Sequence, residues 1–231
     1  DSRQSRGLGD VYKRQVAVGT LSMLANTTGD NNVAIGLCAL VTNSTASDNI
    51  GVGNNALAVN TTGSQNVAVG SLALDANTIG CRGVAIGYNA MGANTDGNFN
   101  TAVGRSALAT NTTGDNNVSV GYSSLQNSTT SSGNTSVGME SMFLNTTGES
   151  NTAMGLCSLR ANTTGACNVA VGCGALVANT TGNTNTAIGY FSLYANTTAS
   201  DNTALGRYSL FTNTTGAENT GCLLYTSDAA D

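Results

Sequence analysis

The amino-acid sequence predicts a solenoid repeat: a β-solenoid of about twelve 17-residue coils, each with one short strand and one helical turn. A glycine recurs every 17 residues without insertion or deletion, which is typical of arrays whose units cover their apolar faces only against neighbouring units. The composition agrees, because 40% hydrophobic residues exclude ordinary disorder while 5% aromatic residues are too few for a conventional globular core. The repeated glycines are Gly19, Gly36, Gly53, Gly70, Gly87, Gly104, Gly121, Gly138, Gly155, Gly172, Gly189 and Gly206.

A predicted strand leads into each of these glycines. We number a coil from its glycine as position 0, so that position −4 is also position 13 of the coil before. Positions −4 to 0 read Asn-Val/Thr-Ala-Val/Ile-Gly, a β-branched run that is typical of a short strand. The residue at position −1 is apolar in every coil, and we expect these side chains to form one core ladder. They are Val18, Ile35, Val52, Val69, Ile86, Val103, Val120, Val137, Met154, Val171, Ile188 and Leu205.

A turn of helix is predicted after the glycine. Position 3 is always Ala or Ser and position 4 is always Leu or Met, as at Ala107 and Leu108, and such a pair would lie on the core. Most coils then read Asn-Thr-Thr-Gly, where the glycine at position 10 suits the left-handed conformation that ends a helix. If the strand spacing of ~4.8 Å sets the rise, the coils form a rod of roughly 58 Å.

Charge and hydropathy argue against several functional classes. No apolar run reaches the roughly 18 residues of a membrane helix, so we predict no membrane span in these residues. The net charge is −5, and Arg82, Arg105, Arg160 and Arg207 form no basic stripe, which argues against a nucleic-acid partner. There is no His, and most carboxylates fall in predicted turns at positions 11 and 12. We therefore expect no enzyme activity, no catalytic or metal-ligating residue and no cofactor.

The cysteines of the repeats do not indicate a disulfide framework or a metal site. Cys38, Cys81, Cys157, Cys167 and Cys173 are odd in number and occupy variable positions, whereas vertical neighbours in the solenoid are 17 residues apart. Cys157 and Cys173 are 16 residues apart, one residue short of this spacing, so a disulfide bridge between them stays open as an alternative.

Asn occupies position 7 in eleven coils of twelve, with Ser128 as the exception. These residues either carry glycans in N-x-S/T sequons or stack inside the solenoid as a ladder of amides. We favour the ladder, because Asn77 and Asn94 are kept where the sequon is lost and a second Asn row at position 13 has no sequon pattern. The candidate glycosylation sites at or beside position 7 are Asn26, Asn43, Asn60, Asn111, Asn127, Asn145, Asn162, Asn179, Asn196 and Asn213.

A hydroxyl also recurs at position 8, where every coil has Thr or Ser. A regular Thr row on a flat face can order water in register with ice, so ice binding is one hypothesis. A turn hydroxyl bonded to the backbone explains the row without a ligand. Ile79 and Asp96 interrupt the neighbouring row at position 9, which favours the second explanation.

One aromatic patch is predicted towards the C-terminal end of the array. Phe191 and Tyr208 share position 2, Tyr194 and Phe211 share position 5, and Tyr190 adjoins them. Neighbouring aromatic rows are suited to binding sugars or a partner surface, which makes these five residues a candidate ligand patch. The simpler interpretation, which we favour, is that the rings shield an edge of the solenoid.

The two ends of the chain do not resemble the repeats. Back-translation of residues 10–15, DVYKRQ, and residues 222–227, CLLYTS, gives DNA sequences that are reverse complements over nearly their whole length. They resemble a transposase-based sequencing adaptor, so we interpret residues 1–15 and 222–231 as adaptor-derived and not native. Residues 16–221 are then the repeat solenoid, as a fragment of a longer protein.

The motif Asn-Val-Ala-Val/Ile-Gly, at residues 32–36, 66–70 and 168–172, resembles the head repeats of trimeric autotransporter (YadA-like) adhesins and the solenoids of phage tail fibres and bacterial surface fibres. The resemblance covers nearly all of residues 16–221, although the coil here is longer. It implies a β-solenoid, three chains side by side, an outer-membrane anchor and adhesion to host surfaces.

We therefore expect an extracellular or cell-surface segment, or part of a phage virion, that acts as a rod-like stalk or adhesin head. Its expected partners are two further copies in a homotrimer and a host or surface carbohydrate or protein. The alternative is a ligand-binding solenoid that holds carbohydrate or ice on its aromatic or Thr rows.

Overall fold

The computed structural model describes residues 14–222 as a parallel β-solenoid, which confirms the predicted class. Successive strands pair in sequence order at an offset of one 17-residue coil, for example Val84 with Thr101. The strands are β1 (Val16–Val18), β2 (Val33–Ile35), β3 (Ile50–Val52), β4 (Val67–Val69), β5 (Val84–Ile86), β6 (Thr101–Val103), β7 (Val118–Val120), β8 (Thr135–Val137), β9 (Thr152–Met154), β10 (Val169–Val171), β11 (Thr186–Ile188), β12 (Thr203–Leu205) and β13 (Thr220–Cys222). Residues 1–13 and 223–231 lie outside the described residues, so the adaptor interpretation of the ends stays a prediction.

The three residues of each strand alternate between the inside and the outside of the coil. The middle residue is Ala in most coils and is fully buried, as at Ala85 and Ala102. The outer residues face away from the core, and Ile86 and Ile188 are 40% and 38% exposed. The prediction of a core ladder at position −1 is therefore wrong. Side chains alternate with a period of two, so burying positions −4 and −2 turns positions −3 and −1 outward.

The core is a column of Leu and Met side chains at position 4. Ala or Ser at position 3 and Ala at position −2 pack against this column, as predicted for positions 3 and 4. The fully buried members of the column are Leu40, Leu57, Leu74, Met91, Leu108, Leu125, Met142, Leu159, Leu176 and Leu193. One large side chain per coil thus fills the interior.

None of the described residues is helical, so the predicted helical turn is wrong. Positions 2 and 4 are left-handed instead, as at Ser106 (φ 56°) and Leu108 (φ 52°), which interrupts any right-handed turn. Ser106 N donates to Tyr88 O of the preceding coil at 2.9 Å, and Leu108 N donates to Ser124 O of the following coil at 3.0 Å. A rise of ~4.8 Å per coil is too small for a stack of helices, which pack ~8–10 Å apart, so the backbone groups pair between coils.

The glycines at positions 0 and 10 have different conformations. Those at position 0 have φ between 113° and 141°, and a Cβ at Gly87 would lie 2.6 Å from the carbonyl oxygen of Gly104 in the next coil. The glycines at position 10 do not have positive φ, so the predicted left-handed conformation there is wrong. Ala46 and Ala199 occupy position 10 in two coils.

We predict that Gly87→Ala lowers the free energy of unfolding by about 3 kcal/mol or more, because it adds a strained φ and a clash with the neighbouring carbonyl. Gly80→Ala, at position 10, is the matched control: its Cβ would also meet a carbonyl oxygen of the next coil, that of Gly97 at 2.7 Å, but its φ is not positive, so it should cost less. Chemical denaturation of both variants measures the difference. Equal losses would contradict the conformational argument.

Candidate functional site

The Asn side chains at position 7 form a ladder inside the solenoid, interrupted at Ser128. Asn60 Nδ2 donates to Asn43 Oδ1 of the preceding coil at 2.9 Å and to Gly63 O of its own coil at 2.9 Å. The same two bonds recur at Asn77 and Asn94. Each amide therefore closes the turn of its own coil and links that coil to the one before.

A second ladder runs through position 13. Asn49 N donates to Asn32 Oδ1 at 2.9 Å, while Asn49 Nδ2 donates to Gly63 O of the following coil at 2.9 Å. Gly83 interrupts the side-chain row, but its backbone N still donates to Asn66 Oδ1 at 2.8 Å. The two ladders thus satisfy the backbone carbonyls at position 10 from both sides.

The hydrogen bonds of the two ladders determine which sequons have an Asn side chain accessible to a glycan in the folded chain. An N-linked glycan would be joined to Asn Nδ2, and this atom donates hydrogen bonds within the rod. Of the ten candidate sites, Asn26, Asn127 and Asn213 are partly exposed and donate at 2.8–3.1 Å. The fully buried candidates are Asn43, Asn60, Asn111, Asn145, Asn162, Asn179 and Asn196.

Ser128 breaks the first ladder. Its Oγ lies 2.5 Å from Ser131 Oγ, and Asn145 Nδ2 donates to that same Ser131 hydroxyl at 3.3 Å. The Ser131 hydroxyl therefore accepts the hydrogen bond from Asn145 Nδ2 that an amide oxygen would accept if Asn stood in place of Ser128. On the other side, Asn111 Oδ1 is buried without a hydrogen-bond partner.

The Thr hydroxyls at position 8 bond to the backbone of the neighbouring coil. Thr61 Oγ1 donates to Thr78 O at 3.0 Å, and Thr78 Oγ1 donates to Thr95 O at 2.9 Å. The same bond recurs along the row to Thr180 and Thr197. These hydroxyls link coils, which leaves them poorly placed to order an ice-like layer.

The strands present a largely apolar surface that the sequence analysis did not predict. We define the strand face as the side chains at positions −3 and −1 of β1 to β13. Val, Ile, Leu and Met dominate position −1, whereas Thr replaces Val at position −3 in several of the later strands, including Thr135, Thr152, Thr186 and Thr203. Both columns follow the pairing register of the sheet, so the face is unbroken from β1 to β13.

The structure brings the five residues of the predicted aromatic patch into one aromatic cluster, comprising Tyr190, Phe191, Tyr194, Tyr208 and Phe211. Tyr194 stacks on Phe211 with ring centres 5.0 Å apart, and Tyr208 meets Phe211 edge-on at 5.2 Å. Tyr190 and Phe191 complete the cluster, with ring centres 4.1 Å apart. The rings support one another and remain partly exposed.

The surroundings of Asp75 and of Cys157 shift the pKa of each side chain. Burial raises the pKa of the Asp75 carboxyl, against two backbone hydrogen bonds that lower it. Burial and the negative charge of Glu140 raise the pKa of the Cys157 thiol, which Arg160 lowers. Cys157 and Cys173 are free thiols, so the bridge between them is not formed. A high thiol pKa keeps Cys157 mostly in its unreactive neutral form at neutral pH.

Two classes of site are absent from the described part of the chain. Within residues 14–222, no three His, Cys, Asp or Glu side chains come together as metal ligands would. The same residues contain no helix that is long and apolar enough to cross a membrane. Searches of protein-family models, of curated proteins and of solved structures found no match to this chain.

We predict that Asn162→Ala lowers the free energy of unfolding by about 2–4 kcal/mol, since it leaves Asn145 Oδ1 without its buried donor and removes one of the two donors to Gly165 O. Asn54→Ala, at exposed position 1, is the control and should stay within about 0.5 kcal/mol of the unchanged chain. Denaturant titration followed by circular dichroism measures both. A harmless Asn162→Ala would contradict the structural role of the ladder.

Proposed function

We propose that this chain is a non-enzymatic, extracellular or surface-exposed rod segment, which acts as a stalk or adhesin head. The observation that carries the proposal is the unbroken register of the sheet, in which β1 to β13 pair in sequence order. Twelve strand spacings of ~4.8 Å separate the ends by roughly 58 Å. Such a rod holds whatever lies at its ends apart and displays side chains at fixed intervals along its length.

The strand face supports association of the rod with copies of itself. It is about 58 Å long and, with side chains two residues apart along each strand, roughly 10 Å wide. An apolar area on the order of 600 Å² is at the upper end of what a soluble monomer exposes. Two further copies packed against this face would cover it, which matches the trimer implied by the YadA-like resemblance.

We predict a solution mass three times the single-chain 23.1 kDa, measured by light scattering. The double variant Ile86→Lys/Ile188→Lys should be a monomer, because it places charges on the strand face. Val59→Lys is the matched control, since Val59 is 41% exposed but lies outside that face. A single-chain mass for the unchanged protein would refute the trimer and leave a self-sufficient rod.

A second candidate function is carbohydrate binding by the aromatic cluster. Its five rings form one connected group, and Tyr190 remains 42% exposed. Gly174 leaves space for the aromatic cluster, because a Cβ at this position would overlap the Phe191 ring. Aromatic faces of this kind bind the apolar faces of sugars, and grouped rings bury more of a ligand than one ring does.

We predict that Tyr194→Ala and Phe211→Ala each weaken binding of soluble glycans severalfold, through the loss of apolar contact. Phe99→Ala is the control, because Phe99 is an exposed ring at position 12, outside the cluster. Calorimetric titration against a panel of neutral and acidic oligosaccharides gives the affinities. The same affinity for all three variants would exclude the cluster as the binding site.

A further inference from the structure

A column of tyrosine and arginine side chains runs along position 1, the position directly after the glycine at position 0. The Arg105 guanidinium carbon lies 5.7 Å from the ring centre of Tyr88 and 5.9 Å from that of Tyr122. Arg207 repeats the arrangement at 5.7 Å from Tyr190. We call these five residues the tyrosine-arginine column. Its two arginines are six coils apart, or about 29 Å along the rod.

The guanidinium groups of the column have no anionic partner in the described residues. Arg160 forms an ion pair with Glu140 at 2.8 Å, and Arg82 donates Nε to a glutamine amide at 3.0 Å. Arg105 and Arg207 make no side-chain hydrogen bond or ion pair within residues 14–222, only the contacts with aromatic rings. A guanidinium held against a ring keeps its N–H edge free for a bidentate acceptor.

The negative charge of the chain is concentrated in another part of each coil. Seven acidic residues of residues 14–222 lie at positions 9 to 12, and only Asp75 and Glu140 lie at positions 1 to 5. Glu140 is already paired with Arg160. The segment with the column therefore attracts anions despite the overall charge of −5. The seven are Asp30, Asp48, Asp96, Asp115, Glu149, Asp201 and Glu218.

The spacing of these groups indicates the kind of anion. Tyr rings stack on sugar rings, and a guanidinium donates two parallel hydrogen bonds to a carboxylate. Exposed Met139 and Leu156 lie at position 1 between the two arginines, so the column offers apolar contacts between widely separated charges. A nucleic acid carries a phosphate on every unit and needs clustered bases to neutralise them. A polysaccharide with acidic sugars between neutral ones fits better.

We propose that the tyrosine-arginine column binds a linear, carboxylate-bearing polysaccharide along the rod, with Arg105 and Arg207 holding carboxylates and the tyrosines stacking on sugar rings. The proposal rests on the carbohydrate-binding function given above as the second candidate. It extends that function from the aromatic cluster, which contains Tyr190, to the middle of the rod. The two arginine sites then act as a bivalent pair, whose joint affinity depends on a chain long enough to reach both.

The test measures binding of hyaluronate, whose carboxylated sugars alternate with uncharged ones, against uncharged dextran. Arg105→Gln and Arg207→Gln should each weaken hyaluronate binding about tenfold, as expected for one charge-assisted contact. Hyaluronate fragments too short to span about 29 Å should bind much more weakly than longer ones. Arg82→Gln is the matched control, since Arg82 also lies over a ring, Phe99, but at position 12. It should leave binding unchanged.

Each result supports or overturns the proposal. Equal binding of dextran and hyaluronate, unaffected by the arginine changes, would overturn the acidic ligand while leaving carbohydrate binding by the aromatic cluster intact. No binding of either polymer would overturn both. Tighter binding of single-stranded poly(dT) than of hyaluronate would overturn the proposal in favour of a nucleic acid. Thermal unfolding of the arginine variants should match that of the unchanged chain, because neither side chain is buried.

Discussion

Hydrogen bonding between the backbones of successive coils is the constraint on which the structure depends. Gly104 N donates to Ile86 O of the preceding coil at 2.8 Å, while Thr95 N donates to Thr112 O of the following coil at 3.0 Å. Such bonds occur in the strands and in the turns alike. Every coil must therefore place each residue above the equivalent residue of its neighbour. An inserted residue would move the following side chains to the wrong side of the coil, which explains a period kept without insertion or deletion.

The same constraint explains the unusual backbone and the polar interior. A coil this thin has no room for a helix, so left-handed residues such as Leu108 bend the chain where a helix was expected. Burying an amide in each turn is favourable only if its groups are paired, and the two Asn ladders pair nearly all of them. Asn111 Oδ1 is the exception, and it lies where Ser128 interrupts the row. The interior is consequently uniform and tolerates little variation.

Interior positions exchange only similar residues, such as Ala for Ser or Leu for Met, whereas the outer positions vary widely in size and charge. Position 1 carries Leu37, Arg105 or Tyr190 in different coils, although the backbone at each is the same. A change in one coil thus places a new group at a known height without altering the scaffold. The strand face and the tyrosine-arginine column occupy different positions of the coil, so the proposed association between copies and the proposed binding of a polysaccharide use separate residues.

The sequence by itself determined the period, the strand, the Leu column and the rows of Asn, because all of these repeat and any stacked fold must align them. It also predicted the five residues of the aromatic cluster, because four of them share positions 2 and 5 in adjacent coils and Tyr190 adjoins them. The predicted orientation of the strand was wrong, since an apolar residue at position −1 fits either a core or an exposed face. The restriction of position −2 to Ala, Gly and Ser was the available signal, because only a tightly packed position limits size so strictly.

Only the tertiary structure decided that Ile86 faces outward, that Leu108 is left-handed and that Arg105 lies between two tyrosines. The reason is physical. Local patterns record which residues recur, whereas the direction of a side chain follows from how tightly neighbouring coils stack. The small rise between coils excludes the helix, selects the left-handed turn and thereby sets which side of the strand meets the core.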